Sequence, residues 1–101
     1  MAETYCEKPS YDTGWVTVNT YAKYRVINNI VNIVIDGMKF TTQPSNPYAI
    51  DFPSKYKPMA DINYNPYTGQ TITISKNDGK AYCWSMDTSH TYNMNVTYIC
   101  R

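Results

Sequence analysis

Leucine is missing from this chain of 101 residues, so aliphatic burial falls on isoleucine and valine. Histidine occurs once, at His90, and no two cysteines stand in a CxxC spacing, so a tetrahedral zinc site would lack its ligands. An excess of one charge is missing too. The net charge is +1, too weak a field to gather phosphate backbones or an anionic membrane surface. The longest apolar run, Ile33 to Ile35, is far short of the ~20 residues a membrane-crossing helix needs. Met1-Ala2-Glu3-Thr4 does not open a basic stretch followed by an apolar one, so no secretory leader is expected. The expectations are therefore no nucleic acid, no membrane insertion, no metal and no cofactor.

What is present points to strands. Eleven tyrosines, two tryptophans and two phenylalanines accompany many Thr, Ile and Val, and such aromatic and β-branched side chains suit a pleated, half-buried surface. A hydrophobic share of 43% is too high for a disordered chain. The length holds one core, hence a single domain over residues 1–101, with residues 1–13 read as a linker or leftover flanking sequence.

Turn signals recur along the chain at short intervals. Asp12-Thr13-Gly14 leads into Trp15 to Asn19, with Trp15 and Thr17 on one face and Val16 and Val18 on the other. Lys23 to Ile27 and Ile30 to Ile35 flank Asn28-Asn29, a hairpin turn because Asn tolerates positive φ. In Ile30 to Ile35 both faces are apolar enough to predict a central strand covered on both sides. Asp36-Gly37 predicts a second hairpin, into Met38 to Thr42. Four prolines between Gln43 and Pro58 predict an irregular crossover, never a central strand.

Met59 to Tyr64 resumes pairing, and Asn65-Pro66-Tyr67-Thr68-Gly69 turns the chain again. Gln70 to Ser75, a turn at Asn77-Asp78-Gly79, and Lys80 to Met86 form the clearest hairpin, with Ile72 and Ile74 on one side of the first arm and Tyr82, Trp84 and Met86 on one side of the second. Tyr92 to Ile99 closes the chain. No window carries a clean helical apolar period. The fold class is therefore all-β: a small antiparallel, jelly-roll-like β-sandwich of seven or eight strands.

Cys6, Cys83 and Cys100 cannot all pair within one chain; they read as three reduced thiols, with a Cys6–Cys100 staple as the alternative. Catalytic readings find little. Cys83 or Cys100 with His90 lacks a third, activating group, and Asp51, Asp61 and Asp87 would need a deep cleft to serve as a glycosidase pair. The Asn95-Val96-Thr97 sequon lies in a strand and reads as chance. No catalytic residue is expected.

Several segments in order, Gly14-Trp15-Val16, Lys23 to Ile33, Phe52-Pro53-Ser54-Lys55-Tyr56-Lys57-Pro58, Ile72 to Gly79 and the strand ending near Tyr98, resemble the small β-sandwich heads at the C-terminal ends of phage tail fibres and receptor-binding (antireceptor) proteins. Phe52 and Lys55 stand where that pattern usually has Leu and Gly, and the cysteines lie outside it. The resemblance implies a virion tail component, made in the host cytoplasm, that docks on a bacterial cell-surface polysaccharide or teichoic-acid-type polymer, as a homotrimer in the intact fibre. The matched residues Trp15, Tyr24, Pro53, Tyr56 and Pro58 are expected to serve the core and a fixed loop.

For a saccharide ligand, ring faces stack on sugar C–H faces while amides and carboxylates meet hydroxyls. The richest stretches are Asn63 to Tyr67 and, led into by Trp84, Asp87 to Tyr92. The candidate ligand-binding residues are Tyr64, Tyr67, Trp84, Asp87, His90 and Tyr92, with Tyr67 the best placed for exposure; Tyr64, Trp84 and Tyr92 read equally as completing a Leu-free core. The same rings could cage a quaternary ammonium. Two other functions fit the same residues: a structural or trimerisation cap of a fibre, and a carbohydrate-binding module of an enzyme.

Overall fold

The computed structural model describes residues 11–100. Eight strands form: β1 (Val16–Thr17), β2 (Ala22–Ile27), β3 (Ile30–Met38), β4 (Tyr48–Ile50), β5 (Ile62–Tyr64), β6 (Thr71–Ile74), β7 (Ala81–Trp84) and β8 (Tyr92–Ile99), with one 3-10 turn at Ser54–Tyr56. They make two antiparallel four-stranded sheets, ordered β1-β2-β3-β8 and β4-β7-β6-β5. The second order is a Greek key, three hairpin-joined strands with the strand that precedes them laid beside the last.

Alternation builds the core. Ala22, Tyr24 and Val26 of β2 and Val31, Ile33 and Ile35 of β3 point inward from one sheet; Ile50, Ile72, Ile74, Ala81 and Cys83 point inward from the other. Each such fully buried Ile or Val contributes roughly 1.5 to 3 kcal/mol. Tyr24, Phe52 and Tyr56 fill the volume that leucines would otherwise take, with Tyr24 edge-on to Phe52 at 6.3 Å and tilted against Tyr56 at 5.8 Å between centroids. The core role expected of Tyr24 and Tyr56 therefore holds, as does that of the buried Pro58.

The Asn28-Asn29 turn forms as expected, with Asn28 at φ 56° and Ile27 paired to Ile30. The Asp36-Gly37 hairpin does not. β3 runs on to Met38, and its pairing to β8 shifts between Ile35 and Met38, so Gly37, at φ 68°, makes a bulge instead of a reversal. Asn93 Oδ1 accepts the Gly37 N–H at 2.8 Å and ties the bulge to β8. Met38 then begins no strand of its own.

Other expectations are corrected by position. β3 is interior in its sheet, yet within Ile30 to Ile35 only Val31, Ile33 and Ile35 are buried; Ile30 is exposed and Asn32 and Val34 half-buried, because no second described layer covers the outer face. The proline-rich crossover contains β4, a three-residue edge strand, the one place where missing donors are tolerated. In β7 Tyr82 and Trp84 share one face as expected, the outer one, while Ala81 and Cys83 face in; Met86, expected on their side, is instead returned to the core by the positive φ of Ser85 (62°). Trp15, expected in the core, is 47% exposed under the Lys23 ammonium, which stands 4.8 Å from its ring centroid.

Of the expected linker, residues 1–10 lie outside the described residues, whereas Tyr11 to Thr13 pack on the sheet: Asp12 bridges Ile27, and the Thr13 N–H donates to the Val26 carbonyl. Cys100 is disulfide-bonded and Cys83 is a free thiol, which corrects the reading of three reduced thiols; Cys6 lies outside the described residues.

Because successive strands run up and down, the connections sort to two poles. One pole carries the β1–β2 turn, the β3–β4 connection and the β5–β6 and β7–β8 loops. The other carries the Asn28-Asn29 turn, the 3-10 turn and the Ser75–Lys80 turn. Tyr11 and Cys100 both dock at this second pole, the Tyr11 carbonyl accepting from Asn28 N–H at 2.6 Å and the Cys100 N–H donating to the Asn29 carbonyl at 3.0 Å.

Candidate binding site

The first pole brings together four of the six residues singled out in the sequence. The β5–β6 turn presents Tyr67 and the β7–β8 loop presents Asp87 and His90, while Tyr92 opens β8 beneath them. Tyr67 and His90 lie ring against ring, 4.1 Å between centroids. Tyr92 meets Tyr67 edge-on at 5.7 Å.

Asp87 folds the β7–β8 loop. Its Oδ1 accepts the N–H groups of Ser89 (3.0 Å) and His90 (3.1 Å) and the Ser89 hydroxyl (3.2 Å). The His90 ring donates Nδ1–H to the same carboxylate, 2.9 Å from each oxygen. Asp87 is an Asx-type cap with every lone pair engaged. The hydrogen bond from His90, with those from Ser89 added, holds its carboxyl well below the usual carboxylate range against the opposing effect of burial. Asp87 therefore positions His90, leaving Nε2 on the solvent side of the ring with no partner among the described residues.

Beneath the loop, Tyr92 is 0% exposed. As a ligand contact it is corrected: the alternation of β8 puts it inward, where burial raises its hydroxyl's pKa above the ordinary tyrosine value. That hydroxyl accepts the Asp87 N–H at 3.0 Å and stands 2.9 Å from Gln70 Nε2. Gln70 Nε2 also reaches the Ser85 carbonyl (2.9 Å) and Asp87 Oδ2 (3.0 Å). Gln70 was missed in the sequence, and its signal was slight: a glutamine following Gly69 at the start of a strand. Its Oε1 is buried and has no hydrogen-bond partner among the described residues.

Tyr67 is 39% exposed, and its hydroxyl donates to the Thr91 carbonyl at 2.9 Å, pinning one loop to the other. Tyr67 and the His90 side chain, 40% exposed, are the rings that reach solvent here. The two remaining candidates lie elsewhere. Tyr64 points inward and packs against the core, consistent with its structural reading. Trp84 stands 43% exposed on the outer face of β7, outside the core it was alternatively expected to complete.

The residues weighed for catalysis are scattered. Cys83 is buried at the centre of the sandwich, where burial pushes its thiol up to about 12. Asp51 pairs with Lys80 at 3.4 Å and Asp61 accepts the Lys76 N–H at 2.8 Å, both at the pole opposite Asp87. No group of three or more His, Cys, Asp or Glu among the described residues could hold a metal. Among the described residues no helix is long and apolar enough to cross a membrane.

No protein-family model, curated protein or solved structure matches this chain.

Proposed function

We propose that this domain is a receptor-binding head of the phage tail-fibre type, docking on a bacterial surface polysaccharide or related polymer through the pole that carries Tyr67 and His90. The observation that carries the reading is the locking of these two rings. Tyr67 is tied to Thr91 and His90 to Asp87, so both are held before a ligand arrives, and ordering them at binding costs little. An exposed aromatic ring beside an imidazole nitrogen suits a sugar, which offers C–H faces and hydroxyls together. Repetition of the head in a trimer multiplies weak contacts.

The test is adsorption of the purified domain, alone and as a forced trimer, to a panel of bacterial cells. Adsorption that falls about tenfold for Tyr67→Ala supports the reading. Absence of adsorption in both forms to every strain sinks it.

A second reading, a structural cap that trimerises a fibre, is favoured by one observation. Ile27, Ile30 and Ile99 stand in register across β2, β3 and β8 on the outer face of their sheet, all exposed, with Ile99 at 57%. Light scattering of the wild type against Ile99→Lys separates the two: association lost with Ile99→Lys while cell adsorption was never present is the result for a cap.

A further inference from the structure

The outer face of the β4-β7-β6-β5 sheet holds neither Tyr67 nor His90, and its side chains fall into two rows. Register aligns Ala49, Tyr82, Thr73 and Asn63 across all four strands. The next row sets Trp84 opposite Thr71, whose hydroxyl reaches Asn65 just past the end of β5. Rows two residues apart are about 7 Å apart along a strand, and neighbouring strands about 4.8 Å, so the first row spans roughly 14 Å. Each row thus reads ring, hydroxyl, amide.

The hydrogen bonds within the rows have a direction. Thr73 Oγ1 donates to Asn63 Oδ1 at 2.7 Å and Thr71 Oγ1 donates to Asn65 Oδ1 at 2.9 Å. Each carboxamide has its oxygen occupied and its plane fixed, and no described group takes the Nδ2 hydrogens of either. Both asparagines are exposed. Two oriented N–H₂ donors therefore stand beside two hydroxyls that can still accept, with the rings of Tyr82 and Trp84 on the neighbouring strand. Ala49, beside Tyr82, adds only a methyl and leaves that ring's flank open. The Tyr82 hydroxyl is held by the Asp78 carboxylate, which fixes the ring.

Neither row contains a charge. The ionic groups nearest the rows are engaged locally, Asp78 with the Tyr82 hydroxyl and the Lys80 N–H, Lys80 with Asp51, and Asp61 with the Lys76 N–H. The sheet's backbone is paired within the sheet, so a ligand meets side chains alone. We propose that this face is a second binding surface, one that takes a linear, uncharged glycan lying across the strands, its sugar faces on Trp84 and Tyr82 and its hydroxyls on the Thr71–Asn65 and Thr73–Asn63 pairs. A polyanion finds no cation in either row. The inference does not rest on the pole reading, since neither Tyr67 nor His90 takes part.

The test is titration of the whole domain, followed by two-dimensional NMR, with soluble hexamers of β-1,4-glucose, β-1,4-N-acetylglucosamine and α-1,4-glucose. Saturable shifts of the Trp84 indole N–H and of the Asn63 and Asn65 side-chain amides are expected with at least one hexamer. Trp84→Ala should weaken that affinity about tenfold, and Thr73→Val, which frees the Asn63 amide to rotate while keeping a β-branched strand residue, by about threefold. Tyr67→Ala should leave it unchanged, so loss of cell adsorption and loss of glycan binding are separately readable. Shifts confined to Tyr67 and His90, or none with any hexamer, overturn the proposal. So does full affinity in Trp84→Ala once its spectrum shows the native fold.

Discussion

The carbonyl oxygen of Pro53 lies 2.9 Å from where a β-carbon on Gly79 would stand. The turn between β6 and β7 thus packs directly on backbone at the start of the 3-10 turn, with Ser54 and Lys57 Cα atoms also within 3.5 Å of that position. Gly79 also sits at φ 76°. Alanine there meets two penalties, the left-handed backbone and an oxygen that belongs to a main chain and cannot rotate away. Gly69, at φ 79° with nothing within 4 Å, meets only the first.

Gly69→Ala should therefore cost roughly 1 to 2 kcal/mol, and Gly79→Ala clearly more. Urea unfolding of both variants checks the order. Equal midpoints would mean that the Pro53 contact is soft.

Removing the Tyr92 hydroxyl tests the support beneath the rings. Tyr92→Phe leaves the Asp87 N–H without its acceptor at 3.0 Å and takes one partner from Gln70. A buried donor so abandoned costs about 1 to 3 kcal/mol. The expected result is a lower urea midpoint with an unchanged slope, and broadened resonances from Asp87 to Thr91.

Acid should open the same loop. The folded pKa of Asp87 is depressed below the ordinary 3.8, so its stabilisation is present above that value and is lost as pH falls through it towards the folded pKa. The Ser89 and His90 amides, both donors to Asp87, should lose hydrogen-exchange protection between about pH 5 and about pH 2, relative to the intrinsic acid-side rate. Asp87→Asn should show little protection at either end. Wild-type protection that stays flat across this range would count against Asp87 as the organiser of the loop.

The thiol at Cys83 is expected to be inert in the folded state. Buried, with its pKa pushed up to about 12, it carries almost no thiolate at about pH 8. Iodoacetamide labelling, read by mass spectrometry of the Cys83 peptide, should be negligible in buffer and complete in denaturant. Rapid native labelling would show that the two sheets separate on the time scale of the reaction.

How far such a structure is legible in its sequence depends on which interaction decides each element. Period-two alternation with turn residues at its ends located β2, β6 and β8, where burial of one face dominates. Asp36-Gly37 misled because the same pair that makes a tight reversal also makes a bulge, and the choice between them came from β8, nearly sixty residues away. Met86 was grouped with Tyr82 and Trp84 because strict alternation was carried past the end of β7, where the positive φ of Ser85 breaks it and sends Met86 inward. At the pole, Asp87 and His90 were visible as a polar loop, whereas Gln70 gained its role only when β6 and β8 brought it under that loop. The platform on the second sheet followed a similar course. Asn63-Tyr64-Asn65 reads as one polar-aromatic stretch, and the pleat divides it, sending the amides out and the ring in.

The shared docking of Tyr11 and Cys100 beside Asn28 and Asn29 has a practical meaning for anyone who anchors this molecule. A chain leaving the described fold at Tyr11 or at Cys100 leaves from the same pole, and Tyr67 and His90 lie at the opposite one. A carrier fused next to either of these two residues would sit on the far side of the domain from the rings.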